Sequence, residues 1–134
     1  MLRVGVIGVG SMGQNHVRVY SEIAELVGVH DAMSEQSEKV AKRFNVTSYP
    51  DLDHLLDNVD AVSICTPTSY HFETAKRVIE KGRSLLVEKP FTGDPKKAET
   101  LTRMAEEAGV TIASGFIERY NPIVAVAKDA MAEN

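Results

Sequence analysis

Val6-Ile7-Gly8-Val9-Gly10-Ser11-Met12-Gly13 is the stretch that decides the fold. An apolar strand runs into three glycines, and a helix-forming segment leaves them. At this spacing Gly8 makes the strand-to-helix turn, Gly10 lets the backbone approach a pyrophosphate, and Gly13 packs helix against strand. A phosphate there sits at a helix N-terminus, where unbonded N–H groups and the helix dipole attract it. Asp31 closes the next apolar run eighteen residues beyond Gly13, where a carboxylate accepts the hydroxyls of an adenosine ribose. Glycine clusters also make ordinary turns. The order strand, glycines, helix, strand and acid is what points to a dinucleotide cradle.

Working outward, the chain alternates strand and helix. Strands are expected over 2–7, 26–30, near 47–49, 61–65, 85–87 and 110–114. The first helix is expected over 11–24, with Val19, Tyr20 and Ile23 on its apolar side. Ser34 is expected to cap the second, which carries Val40, Ala41 and Phe44 at core spacing with Glu35 and Glu38 near its start. A short helix is expected over 51–56, and one over 71–81 with Ala75, Val78 and Ile79 on one face, ended by Gly82. Asp94-Pro95 starts another, with Ala98, Leu101, Ala105 and Ala108 on its face and Gly109 as its stop, and a last helix starts near Pro122. Strands joined by helical crossovers run parallel, because such connections are right-handed. The predicted fold is α/β, a doubly wound parallel sheet of about six strands in the order 3-2-1-4-5-6. Its ligand crevice falls where strands one and four diverge, between Gly8 to Gly13 and Thr66-Pro67.

Composition narrows the function classes. The 134 residues are 43% hydrophobic and 25% charged, which suits one globular domain. No apolar run approaches the ~20 residues of a membrane helix, and the chain enters its first strand without a secretory segment, so a cytoplasmic location away from membranes is expected. Cys65 is the sole cysteine, which excludes an internal disulfide and fits a reducing compartment. A net charge of −4 with scattered lysines and arginines gives no footprint for nucleic acid.

The expected strand ends carry Gly8 to Gly13, Asp31, Cys65-Thr66-Pro67-Thr68 with His71, Glu88-Lys89-Pro90, and Gly115 through Arg119-Tyr120-Asn121-Pro122. This combination resembles the N-terminal domain of the Gfo/Idh/MocA family, the glucose-fructose oxidoreductase and inositol dehydrogenase relatives, over essentially the whole chain. A Thr-Pro followed by a histidine, with Glu-Lys-Pro one helix later, is more specific than the glycines alone. The resemblance implies an NAD- or NADP-dependent oxidation or reduction of a hydroxyl on a sugar, cyclitol or nucleotide sugar. It implies Gly8, Val9, Gly10, Ser11 and Met12 against the pyrophosphate, Asp31 on the ribose, and Thr66 and Pro67 on the nicotinamide side with His71 nearby. Gly13 and Glu88 complete the expected cofactor-binding set. Lys89 is the implied catalytic lysine, and Arg119 and Asn121 the implied substrate residues.

Chemistry supports Lys89 independently. At the end of a buried strand, beside a nicotinamide that is cationic when oxidised, desolvation and like charge both disfavour the ammonium, which suits a proton relay. Glu88 acts in the opposite sense. The plainer readings are a solvated Lys89 after an edge strand, a first-turn His71 that only bonds local backbone, Arg119 and Tyr120 as surface and packing residues, and Cys65 as buried strand filler. Asp31 favours NAD, with NADP as the alternative: Asp31-Ala32-Met33-Ser34-Glu35 has no cation to offset a 2′-phosphate, although a side chain from elsewhere in the fold can swing in.

Other chemistries fit less well. No tyrosine has a lysine four residues on, as short-chain dehydrogenases require, and no Gly-Lys-Ser/Thr phosphate loop is present. His16, His30, His54 and His71 form no ligand-spaced pair, and Asp51-x-Asp53-His54 reads as a solvated loop rather than a metal site. The expected division is a cofactor domain over 1–120 and the start, over 121–134, of a connection to a substrate domain outside this sequence. The piece is then expected to bind cofactor without turning over alone and to be monomeric, with homo-oligomers formed by the longer protein. The alternative is a stand-alone NAD-binding, redox-sensing module without catalysis.

Overall fold

The computed structural model describes residues 1–87 and 94–114. Their elements are β1 (Arg3–Ile7), α1 (Ser11–Ile23), β2 (Glu25–His30), α2 (Ser34–Phe44), β3 (Thr47–Ser48), α3 (Leu52–Leu56), β4 (Ala61–Ile64), α4 (His71–Glu80), β5 (Ser84–Val87), α5 (Pro95–Ala108) and β6 (Ile112–Ser114). A single 3₁₀ turn, Thr68–Tyr70, leads into α4. The six strands form one parallel sheet in the order β3-β2-β1-β4-β5-β6, the doubly wound arrangement expected. The last expected helix, near Pro122, lies outside the described residues.

Period-two alternation divides the central strands between two faces. Val4 and Val6 of β1, Ala61 of β4 and Leu86 of β5 pack with Val17, Tyr20, Val40 and Ala41 of α1 and α2. Ile7, Val62, Ile64, Leu85 and Val87 point the other way, onto α3, α4 and α5. Each fully buried Val, Leu or Ile contributes about 1.5–3 kcal/mol, so the strand residues and the helix residues packed on them stabilise the fold together.

Polar contacts tie the helices down. On the α1 side of β4, Ser63 meets His16 Nδ1 at 3.0 Å and the Tyr20 hydroxyl at 2.5 Å, which satisfies three polar side chains inside the core. Asp51 and Asp94 cap α3 and α5 by accepting from the backbone N–H of Asp53 and Lys96, and Gly109 closes α5 in the left-handed conformation at φ 72°.

Several local expectations change. The buried face of α1 is Gly13, His16, Val17 and Tyr20, whereas Ile23 is exposed. Tyr20 is the end of that stripe, and the step to Ile23 turns towards solvent. Ser34 is the first helical residue of α2 rather than its cap; Met33 stands at that position, without a side-chain bond. The segment 51–54 is a capped helix start, not a loop, because Asp51 bonds the Asp53 N–H. Cys65 leaves the strand and is half-buried instead of filling it. Among the described residues no helix is long and apolar enough to cross a membrane, and no cluster of three metal-ligating side chains occurs.

Candidate cofactor site

Sheet register builds the site. Ile7 lies opposite His30 on one side and Ile64 on the other, so Gly8, Asp31 and Cys65 all leave the sheet at one level. The chain turns away from β1 to one face and from β4 to the other, and the opening between them is a crevice of about 850 Å³.

The glycine turn is fixed by close backbone packing. Gly8 has φ 89°, donates its N–H to the His30 carbonyl at 2.8 Å, and leaves room for no side chain: a Cβ would lie 2.8 Å from the Cys65 carbonyl carbon and the Thr66 nitrogen. A Cβ on Gly13 would strike the Gly8 carbonyl, so helix and strand approach only because both residues lack one. Gly10 differs. It is exposed, lines the crevice, and a Cβ there would meet nothing within 4 Å. Behind the turn Val9 is fully buried, and its carbonyl accepts from the side-chain amides of Gln14 and Gln36, each at 3.0 Å.

Asp31 spans this turn and the start of α2. One carboxylate oxygen accepts the Val9 N–H and the other the Met33 N–H, both at 2.9 Å. Each oxygen keeps a further lone pair, and the carboxylate faces the crevice in a fixed orientation.

The opposite wall follows β4. Thr66 and Pro67 line the crevice, and the Thr66 Oγ1 is buried without a hydrogen-bond partner among the described residues. An orphaned buried hydroxyl costs about 1–3 kcal/mol unless a ligand satisfies it. His71, buried at the first turn of α4, does not line the crevice; its Nε2–H donates to the Thr66 carbonyl at 2.6 Å and braces the turn.

Of the expected residues, Gly8, Gly10, Asp31, Thr66 and Pro67 are therefore gathered on the crevice, while Val9, Gly13 and His71 form its buried support. Ser11 and Met12 stand exposed on the first turn of α1, outside the lining. Glu88, Lys89, Arg119 and Asn121 lie outside the described residues. Sequence reasoning missed Tyr70, Thr74 and Arg77, which make the far wall with Leu52. Their spacing of four and three residues is one stripe of a helix, and its place directly after the Thr-Pro turn is the signal that finds it. Met33 on one side and Tyr70 on the other are large, strongly exposed apolar groups, an arrangement that suits a planar ring.

A nicotinamide dinucleotide fits these features. The space over Gly10 admits phosphate at the uncapped start of α1, the Asp31 carboxylate keeps free lone pairs at the crevice, and Thr66 Oγ1 has no partner among the described residues.

Comparison with known proteins agrees. The profile of the Gfo/Idh/MocA oxidoreductase family, NAD-binding Rossmann fold, matches residues 2–116. UDP-N-acetylglucosamine 3-dehydrogenase of Acidithiobacillus ferrooxidans is 42% identical over 129 residues, covering 96% of this chain and 41% of that protein. Its solved structure superposes with a TM-score of 0.86, covering 96% of this chain and 43% of the other. Glucose-6-phosphate 3-dehydrogenase of Bacillus subtilis is 31% identical, over 100% of this chain and 39% of the relative. GenD2 from gentamicin A biosynthesis, solved in complex with NAD, is 35% identical with a TM-score of 0.80, over 85% of this chain and 34% of that one. The chain thus spans about two fifths of the length of the curated relatives it matches.

Proposed function

The chain belongs to the Gfo/Idh/MocA oxidoreductase family and carries its NAD-binding Rossmann domain, and from that premise we propose that it is the cofactor domain of a dehydrogenase acting on a hydroxyl of a sugar, cyclitol or nucleotide sugar. The observation that carries this reading is the crevice at the ends of β1 and β4, with open space over Gly10 and, on its facing wall, a Thr66 hydroxyl that has no partner among the described residues. The 42% identity to an enzyme named for UDP-N-acetylglucosamine favours a nucleotide sugar within that class.

When bound, the cofactor supplies the hydride acceptor or donor. Gly8 and Gly10 would hold its pyrophosphate by backbone approach, assisted by the start of α1. Asp31 would accept from the adenosine ribose, and its carboxylate together with the 31–35 segment favours NAD over NADP. Thr66 and Pro67 would meet the nicotinamide half, with the Thr66 hydroxyl donating or accepting one bond. Lys89, two residues past the end of β5, would hold and move the proton of the substrate hydroxyl, and Arg119 and Asn121 would bind substrate. A reducing, cytoplasmic setting suits Cys65, the sole cysteine, which lines the crevice.

Titration calorimetry of this chain tests the reading: saturable binding of NAD is expected, and no heat with either NAD or NADP overturns it. In the longer protein, Lys89→Ala is expected to keep cofactor affinity and lose turnover, and substantial retained turnover overturns the role given to Lys89.

A further inference from the structure

Among the described residues that line the crevice, Asp31 and Arg77 are the two that carry a full charge at neutral pH. Asp31 is held by two backbone N–H groups and stays where a 2′-phosphate on the adenosine ribose would be repelled. Arg77 is the lining cation, and it is engaged elsewhere: its Nη2 donates to Asp53 Oδ1 at 2.8 Å. The two side chains are 47% and 50% exposed, so the pair holds Arg77 by no more than about fivefold, which an incoming phosphate has to overcome. A phosphate monoester carries more charge than a carboxylate and offers three oxygens to the guanidinium fork.

The pair belongs to a two-rung ladder. Asp53 and Asp57 are one turn apart along the α3 edge, Arg77 and Lys81 one turn apart on α4, and Lys81 bonds Asp57 at 2.9 Å. Arg77 lines the crevice and Lys81 does not, so the first rung alone is placed to answer a ligand.

We propose that the Asp53–Arg77 pair sets the nicotinamide cofactor preference: Asp53 withholds from the crevice the cation that a 2′-phosphate needs, and Arg77, once released, turns to that phosphate. This rests on the cofactor reading above. The domain then discriminates against NADP twice, by repulsion at Asp31 and by sequestration at Asp53, and the second barrier is lifted without disturbing the loops that Asp31 bonds.

The test is calorimetric affinity for NAD and for NADP on the same chain, with Asp53→Asn, Arg77→Ala, the double variant, and Asp57→Asn as the matched control from the second rung. Asp53→Asn is expected to raise the NADP-to-NAD affinity ratio by about threefold to fivefold, the scale of an exposed ion pair. Arg77→Ala is expected to lower NADP affinity more than NAD affinity. In the double variant the gain from Asp53→Asn is expected to shrink, since removing a negative charge acts there without a cation to release. Asp57→Asn leaves both affinities unchanged. An unaltered ratio in Asp53→Asn, an equal gain in the Arg77→Ala background, or an equal shift from Asp57→Asn overturns the proposal. NAD binding with no such selectivity change sinks this inference alone, whereas absence of binding by either nucleotide sinks the cofactor reading beneath it.

Discussion

His71 Nε2 holds the carbonyl oxygen of Thr66 at 2.6 Å, so the turn that ends β4 is braced from inside α4. Because His71 is buried and off the crevice lining, the ring supports the crevice wall through the Thr66 backbone. His71→Ala removes both the bond and the packed ring. A loss of about 2–4 kcal/mol in denaturant unfolding is expected, with weaker NAD binding as the wall relaxes. His71→Gln, whose amide also donates, is expected to restore part of both. A fall in NAD affinity with unfolding unchanged would instead make His71 a direct contact.

Gly10 and Gly13 separate function from folding. Gly13→Ala drives a methyl into the Gly8 carbonyl, a backbone atom that cannot step aside, and is expected to destabilise the chain by at least about 2 kcal/mol and abolish NAD binding together. Gly10 has φ −71° and open space around its absent Cβ. Gly10→Ala is therefore expected to cost stability no more than about 1 kcal/mol, the difference between glycine and alanine before a helix, while the methyl intrudes on the phosphate path. Calorimetry should show NAD affinity reduced about tenfold or more, a penalty of at least ~1.4 kcal/mol. Unchanged affinity would move the pyrophosphate away from Gly10.

These contrasts show what was legible. Strand order could be read because every crossover needs a helix, and helices announce themselves by their spacing, as Ala75, Val78 and Ile79 do. The near wall was legible too, since Gly8, Gly10 and Asp31 are required by backbone geometry at fixed intervals. The buried face of α1 was not. His16 reads as polar, and its burial becomes acceptable through bonding such as that to Ser63, forty-seven residues away. Thr74 and Arg77 of α4, and Tyr70 just before it, stayed hidden for a related reason: an exposed stripe of this kind reads as a solvated face until the sheet places it over a crevice. Thr66 was found through its proline, whereas its orphaned hydroxyl is a property of the packed structure alone.

Asp31 couples the two loops it bonds. Asp31→Asn keeps one acceptor oxygen, so either the Val9 or the Met33 N–H loses its partner, and the charge that orients the ribose disappears. NAD affinity is expected to fall about tenfold, the scale of a charge-assisted hydrogen bond, with NADP affinity falling less because repulsion of its phosphate is relieved. Parallel titrations with the two nucleotides check this. An equal loss for both would show that Asp31 only shapes the turn.

Asp60 joins the starts of β1 and β4, accepting the Arg3 backbone N–H at 2.9 Å and its guanidinium at 3.2 Å. Partial burial pushes its carboxyl upward, but the Arg3 N–H and guanidinium together outweigh that and hold it below the ordinary aspartate value. A depressed carboxylate stabilises the fold fully above the unfolded pKa of about 3.9 and ceases to do so as pH falls through the folded value. The pair is nearly half exposed, at 49% and 42%, so solvent limits its contribution to under about 1 kcal/mol. Asp60→Asn is thus expected to unfold slightly more easily than the parent at pH 7, by that amount, and the gap between them to close as the pH falls below the ordinary aspartate value and through the lower folded one. Urea titrations of both proteins at a series of pH values measure the gap directly. A difference that persists unchanged into acid would mean that Asp60 acts through its backbone bond and shape, with its charge contributing nothing.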